Sequence, residues 1–380
     1  MAEKLKLNWW CESCDLPDTA ESGAKIRRLT SAPALTTDIY CEQPYCSADG
    51  NRLAMHRSWD TNPAVPGDLL VYDIARYRIA HLQKEVSGIA NNAWSGVLFI
   101  TVGTGKEKRL VRFDINTLER EELFAWGDIP VGGVSCVTAD QRYGIGNART
   151  GQQCFGIFRI DLQNGQCELI HEGPYICNPH LQYRLVTGNR ILVQENRGCV
   201  LDDDGNVIKP VDERGAGLYT IAADGSDRKD FPVGQPVTPG TTGHECWIGD
   251  TDDVLVTLSA TYNDGEKTGN VLEVRHEWEK PRVVFESPHV WNHISATRCG
   301  RYFIVDSYEV PGVPLLIGSI GTGKTRVLCE SKTSGGGGQY SHAHPYITSD
   351  NRWVVFNSDM TGLAQVHIAS IPDGFLESLD

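Results

Sequence analysis

The sequence predicts an all-β chain folded as a seven-bladed β-propeller whose last blade is closed by an N-terminal strand. Three observations carry that reading. A turn followed by an apolar strand occurs seven times along the 380 residues, each copy leads into a second alternating strand, and the final copy lacks a third strand that the other six have. Self-similarity at a period of about 40 to 50 residues is the signature of propeller blades.

The turn and first strand recur as Ser47–Met55, Trp94–Ile100, Ala139–Ile145, Thr187–Val193, Asp250–Val256, Arg298–Ile304 and Ser349–Val355. The second strands are Leu69–Ile74, Leu110–Ile115, Gly156–Leu162, Gly217–Ala222, Asn270–His276, Pro314–Ser319 and Leu363–Ile371. More polar third strands follow, such as Arg78–Leu82, Arg120–Phe124, Gln166–Ile170 and Arg282–Phe285. The run Ala24–Thr30 has the composition of the strand missing from the last copy. Supplying it from the N-terminus closes the ring and removes free sheet edges. The expected organisation is an extension over residues 1–23 and one propeller over 24–380, with no second domain.

Composition narrows the function classes. Hydrophobic residues at 40% and charged residues at 22% are ordinary for a chain with a sizeable core. No apolar run approaches the roughly 20 residues of a membrane span, so no membrane partner is expected. The N-terminus Met1–Trp10 lacks the apolar core of a secretory signal, which points to a cytoplasmic protein. Most of the 12 cysteines, such as Cys154, Cys167 and Cys329, lie in strand-like runs and read as reduced, buried thiols. A formal charge of -14 argues against nucleic acid as partner, because such binding neutralises phosphates with Lys and Arg. An acidic sugar would need a local positive site, which a bound cation and one arginine would supply.

The run from Gly335 to Pro345 places Gln339, His342 and His344 close together. Imidazole ligates divalent cations readily, and two histidines two apart on an extended segment point to one side. The repeat frame adds more. His293 precedes Arg301 by eight residues, as His344 precedes Arg352 and Gln182 precedes Arg190; His244 stands nine before Asp253, and His180 lies beside Gln182. These are the innermost strands, so radial symmetry brings the five histidines to one channel mouth.

Two motifs are set aside. Gly318–Thr325 matches the phosphate-binding loop pattern, but Arg326–Glu330 reads as a strand where that loop requires a helix. Cys11 and Cys14 have a metal-friendly spacing, yet structural zinc takes four ligands and no second pair exists, so a mobile tail is expected. Trp9 and Trp10 beside it have either the propeller or a partner subunit to pack on.

Cys41–Cys46, Asn178–Gln182, Gly243–Trp247, Trp291–His293 and Gln339–Pro345 together resemble the oligogalacturonate lyases, a family of cytoplasmic seven-bladed propeller enzymes. The resemblance runs from about residue 25 to the C-terminus. It implies a manganese ion held by His293, Gln339, His342 and His344, although His and Gln donors accept other divalent ions. It implies His244 as the proton-abstracting base and Arg214 as the active-site arginine. The other reading of Arg214 is a loop arginine pairing within Asp212-Glu-Arg-Gly215. His180 and Gln182 fall where substrate would be bound, with a buried hydrogen-bonded histidine as the alternative for His180.

The chemistry implied is β-elimination on short 1,4-linked galacturonates. The proton on C5 is very weakly acidic, and a cation on the uronate carboxylate stabilises the charge that develops when it leaves. A neutral histidine, ordinarily titrating near pH 6.5, suits the role of base. An arginine holds a carboxylate bidentately. Two alternatives stand beside this. Long insertions around Lys209–Gly217 and Pro236–Thr242 would suit a related propeller lyase or hydrolase on another uronate, and a propeller also serves as a non-enzymatic interaction platform.

Overall fold

The computed structural model describes residues 2–62, 65–258, 261–263, 266–336 and 338–380. Side chains are described outside Thr242, 261–263 and 266–270. Asn270, with which the second strand of the fifth blade was expected to start, thus lies outside the described side chains. The backbone there belongs to Glu266–Val274.

Antiparallel blades follow one another along the chain. The first runs Leu35–Thr37, Arg52–Ser58, Gly67–Asp73 and then the first half of Arg78–Asn91. That 14-residue strand continues as the inner strand of the second blade, pairing Ile89 with Ile100. The third to sixth blades start at Cys136–Val137, Gln182–Tyr183, Thr241–Trp247 and Ile294–Ala296. The seventh is Tyr346–Ile347, Trp353–Ser358 and Gln365–Ser370, completed by Lys25–Arg28 from the N-terminus with Ile26 opposite Ala369. The expected closure is therefore present.

The repeated turn has a physical cause. In Ser47–Arg52 the Ser47 hydroxyl donates to Asp49 Oδ1 at 2.6 Å, and the same oxygen accepts the Asn51 amide. Thr138 with Asp140, and Thr348 with Asp350, repeat the arrangement at 2.5 and 2.6 Å. These side chains mimic a backbone turn and fix each hairpin's register. The matching turn in Gly318–Thr325 joins two strands, with Gly318 opposite Thr325, so the phosphate-loop pattern is a hairpin.

Middle strands such as Val97–Val102 and Pro314–Ser319 are buried along their whole length because each blade is covered on both faces by its neighbours. Outer strands such as Glu119–Ala125 are half-exposed, which explains their polarity. The core is divided among the blade interfaces. Leu98 packs with Ala54 between the second and first blades, Phe303 with Leu255 between the sixth and fifth, and Tyr346 with Met55 where the seventh meets the first.

The expected mobile tail is instead a strap. Glu3–Lys4 pairs with Glu119–Arg120, Trp10 bridges to Ile79, and Cys14–Thr19 forms a hairpin with Lys25–Arg28. The cause is burial: Trp9 and Trp10 pack into the cluster between the first two blades, and Glu12 forms an ion pair with the buried Arg57. All 12 cysteines are free thiols. Among the described residues no helix is long and apolar enough to cross a membrane.

Candidate metal centre at the channel mouth

The ligand-type atoms of His293, His342 and His344 all lie within 4.8 Å of one another. His293 stands immediately before the inner strand of the sixth blade, and His342 and His344 shortly before that of the seventh. The segment carrying the last two is not a strand. His344 has φ +44°, a left-handed conformation uncommon outside glycine, and still turns its ring toward His293 at 4.3 Å between centroids. A single 3-10 turn, Gln339–Ser341, begins after Gly338, whose carbonyl accepts the Ser341 hydroxyl at 2.8 Å. That turn places Gln339 Oε1 3.1 Å from His344 Nε2. Gly337, part of the four-glycine run, lies outside the described residues.

These residues fit a divalent cation. Burial holds His293 and His344 well below the ordinary imidazole pKa and also lowers that of His342, which keeps the rings neutral as ligation requires. Nε2 of His293 and Nδ1 of His342 are buried without a hydrogen-bond partner. A buried polar atom left so costs free energy, and coordination is the usual way it is satisfied at a cluster of imidazoles.

Behind His293 lies a support that sequence reasoning missed. Asp306 Oδ2 is 2.8 Å from His293 Nδ1, and Asp306 Oδ1 accepts the His293 amide at 3.0 Å. The Tyr308 hydroxyl donates to Asp306 Oδ2 at 3.2 Å and accepts the Ala343 amide at 3.0 Å. A carboxylate behind a ligating histidine fixes its tautomer and ring orientation. The signal was present: Ile294 pairs with Val305, so the hairpin register puts His293 next to Asp306.

His244 stands beside this group without belonging to it. Its ring centroid is 4.3 Å from that of His293, and its Nδ1 lies 3.3 Å from the Tyr40 hydroxyl and 3.6 Å from Glu42 Oε1. Glu42 is buried and also meets His180 Nδ1 at 3.1 Å. Burial alone would raise its pKa, but His180 and His244 outweigh that and bring it down to about 2. Burial would likewise lower the His180 pKa, and the Glu42 and Glu245 carboxyls instead push it up to about 9. Glu245 is fully buried with neither oxygen hydrogen-bonded, and burial lifts it to about 8. Glu42 and Glu245 lie in the Cys41–Cys46 and Gly243–Trp247 segments but were given no role there, and Tyr40 gave no signal. Tyr40 and Glu42 lie on an irregular segment entered through Ile39 at φ +76°.

Two of the expected site residues have partners of their own. Arg214 pairs within its own loop. Its side chain is 47% exposed and its Nη2 binds Asp212 Oδ2 at 2.5 Å, while Asp212 Oδ1 also accepts its backbone amide, so one carboxylate ties down both ends of the residue. Gln182 is 3% exposed, and its amide donates to Glu42 Oε2 at 3.3 Å and to the Glu245 carbonyl at 2.8 Å. It braces the Glu42 carboxylate and the Glu245 backbone beneath the mouth. His180 stays at the mouth, in a left-handed conformation, with Nε2 3.0 Å from Asn178 Nδ2.

A cleft of about 680 Å³ opens beside Gln339 and His344 over the first blade, with Tyr40, Tyr340 and His56 among its walls. No family model matches the chain. It is 22% identical to the oligogalacturonide lyase of Pectobacterium atrosepticum, over 93% of this chain and 95% of that one. It is also 22% identical to the oligogalacturonate lyase of Dickeya dadantii, over 93% and 94%. Both relatives are oligogalacturonate lyases, and the chain is similar to them over nearly its whole length. The fold agrees over the same length. An oligogalacturonate lyase solved in complex with manganese superposes with a TM-score of 0.71 at 16% identity, covering 99% of this chain and 98% of that one. The Vibrio parahaemolyticus oligogalacturonate lyase gives 0.70 at 17%, covering 99% of both.

Proposed function

We propose that this chain is a manganese-dependent lyase that cleaves short 1,4-linked galacturonate oligosaccharides by β-elimination, with His244 as the base. One observation carries the reading: three imidazoles and a glutamine amide converge at the channel mouth, with another imidazole, His244, beside them and outside the ligand set.

His293, Gln339, His342 and His344 would hold the ion, which supplies Lewis-acid stabilisation of the uronate carboxylate as C5 loses its proton. His244 takes that proton. The C5–H electron pair becomes the C4–C5 double bond, and the C4–O pair leaves with the departing sugar's oxygen. Tyr40 and Glu42 face Nδ1 of His244 and favour the tautomer with a lone pair on Nε2, the base a C–H proton needs. The twelve free thiols suit a cytoplasmic setting, where the substrate would arrive as an oligosaccharide already taken up.

The test is an ultraviolet assay on manganese-loaded protein with digalacturonate. The expected result is absorbance from a C4–C5 unsaturated uronate or its keto derivative, lost in His244→Ala while the metal stays bound. Full activity in that variant would overturn the base assignment. A second reading, another uronate oligosaccharide, draws on the pairing of Arg214 with Asp212. A panel of uronate disaccharides separates the two by which one undergoes rapid elimination.

A further inference from the structure

The elimination assigned above removes a proton at C5 and leaves an electron pair on the oxygen that departs from C4. A sugar alkoxide is a poor leaving group unless a positioned acid protonates it as the bond breaks. His244 and the four ligand residues all serve the C5 side. A donor for the C4 oxygen has to be a different group.

His180 stands where such a donor is needed. Its ring centroid is 6.2 Å from that of His244, close enough for both rings to reach neighbouring atoms of one sugar. Both turn Nδ1 to the same carboxylate oxygen, Glu42 Oε1, at 3.1 Å from His180 and 3.6 Å from His244. That leaves Nε2 of His180 as the atom that can meet a ligand. It faces the Asn178 carboxamide at 3.0 Å, and Asn178 is exposed, so a substrate oxygen can take its place. A half-turn of that carboxamide presents its oxygen to Nε2 when the ring nitrogen carries a proton.

The surroundings of the two rings differ. His180 is faced by Glu42 and Tyr40 from the irregular segment after Ile39, by Glu245 and His244 from Thr241–Trp247, and by Asn178. Against its burial, Glu42 and Glu245 push its pKa up to about 9, so at neutral pH it holds a proton on both nitrogens. Tyr40 is the poorer donor. Its hydroxyl is taken up by His244 Nδ1 at 3.3 Å, and burial pushes its pKa well above the ordinary phenol value. Unequal environments at neighbouring titratable groups are what separates acid from base roles.

We propose that His180 is the general acid of this elimination, giving its Nε2 proton to the C4 oxygen while His244 takes the proton from C5. The C5–H pair becomes the C4–C5 double bond, the C4–O pair stays on the oxygen, and the proton from His180 makes that oxygen a hydroxyl. His180 ends neutral and His244 ends charged, and exchange with solvent restores both. The inference rests on the lyase reading for the role of His244.

The experiment compares kcat/KM of manganese-loaded wild type and His180→Gln on digalacturonate and on a galacturonate glycoside with fluoride in place of the C4 oxygen. Fluoride leaves without a proton. His180→Gln should lose at least about 100-fold on digalacturonate, the low end for a general acid, and less than about tenfold on the fluoride. Equal losses overturn the proposal, because a displaced ring or a damaged fold slows both reactions alike. Wild type gives a second readout that needs no variant. Its kcat/KM on digalacturonate should fall on the alkaline side as His180 loses its proton, and the fluoride should lack that limb. A limb common to both substrates, or missing from digalacturonate, overturns the proposal as well. Wild type that turns over the fluoride alone has no working acid, and wild type that turns over digalacturonate alone depends on the departing sugar in some way other than protonation; both overturn the proposal and leave the elimination standing. If wild type turns over neither, the lyase reading fails and the proposal falls with it.

Discussion

Nδ1 of His293 lies 2.8 Å from Oδ2 of Asp306, and neither side chain reaches solvent. The contact commits one ring nitrogen to a carboxylate and leaves Nε2 free to ligate a cation. Asp306→Asn should therefore weaken manganese binding by about 10- to 100-fold, the usual effect of losing a carboxylate behind a metal-bound histidine. Calorimetric titration of metal-free protein reads this directly. An affinity within twofold of wild type would show that Tyr308 and the backbone orient the ring without help from the charge.

Metal binding should also appear as stability. Nε2 of His293 and Nδ1 of His342 are buried without hydrogen-bond partners, a cost that coordination offsets in the folded state only. At a free manganese concentration of about 100 times Kd the gain is about 2.7 kcal/mol, visible as a rise in Tm that a chelator reverses. His342→Ala should remove most of the rise. A Tm indifferent to manganese in the wild type would mean that the imidazole cluster is a structural feature and not a metal centre.

The carboxylates under the mouth give a pH signature in metal-free protein. Glu42 falls from 4.5 to about 2, so its contribution is present above pH about 4.5 and lost as pH drops toward 2. His180 rises from 6.5 to about 9, so its contribution is full below pH 6.5 and lost as pH climbs toward 9. Glu245 rises from 4.5 to about 8, and folding must either keep its proton or bury a charge as pH passes through that interval. Glu245→Gln should remove that share of the decline between pH 4.5 and 8 and shorten the His180 share at its alkaline end, because Glu42 alone then holds the His180 pKa up. Thermal melts of both proteins across pH 4.5 to 9 give the difference curve. Parallel curves would mean that Glu245 titrates as an exposed carboxyl does.

The ring and the convergence of its imidazoles were legible because both depend on a repeated frame. Once Arg301 and Arg352 are aligned, His293 and His344 occupy one position in neighbouring blades, and geometry does the rest. Asp306 was legible in principle, since a hairpin that pairs Ile294 with Val305 sets it opposite His293. Glu42 and Tyr40 were not, because they sit on an irregular segment whose path is set by tertiary packing. Arg214 followed from a resemblance in a weakly matching loop, where a local partner, Asp212, fixes its side chain. The N-terminal extension was misread as a tail because no periodicity marks a segment held by short strand pairings, ion pairs such as Glu12 with Arg57, and two tryptophans.

That ion pair is itself a strong test of the fold. Arg57 is 3% exposed and Glu12 11%, with Nη2 2.7 Å from Oε2 and Nη1 3.1 Å from Oε1. Glu12 also accepts the Trp10 indole at 2.8 Å and the Ser31 amide at 2.9 Å, so one carboxylate ties the strap, the first blade and the loop before Leu35 together. Glu12→Ala leaves a guanidinium buried without its counter-charge, which costs about 3 to 5 kcal/mol. Replacing both partners, as in Glu12→Ala with Arg57→Met, should recover most of the loss because no charge is then buried unpaired. Denaturant unfolding of the three variants separates these cases. A loss below about 1 kcal/mol in Glu12→Ala would return the extension to the status of a loosely held tail.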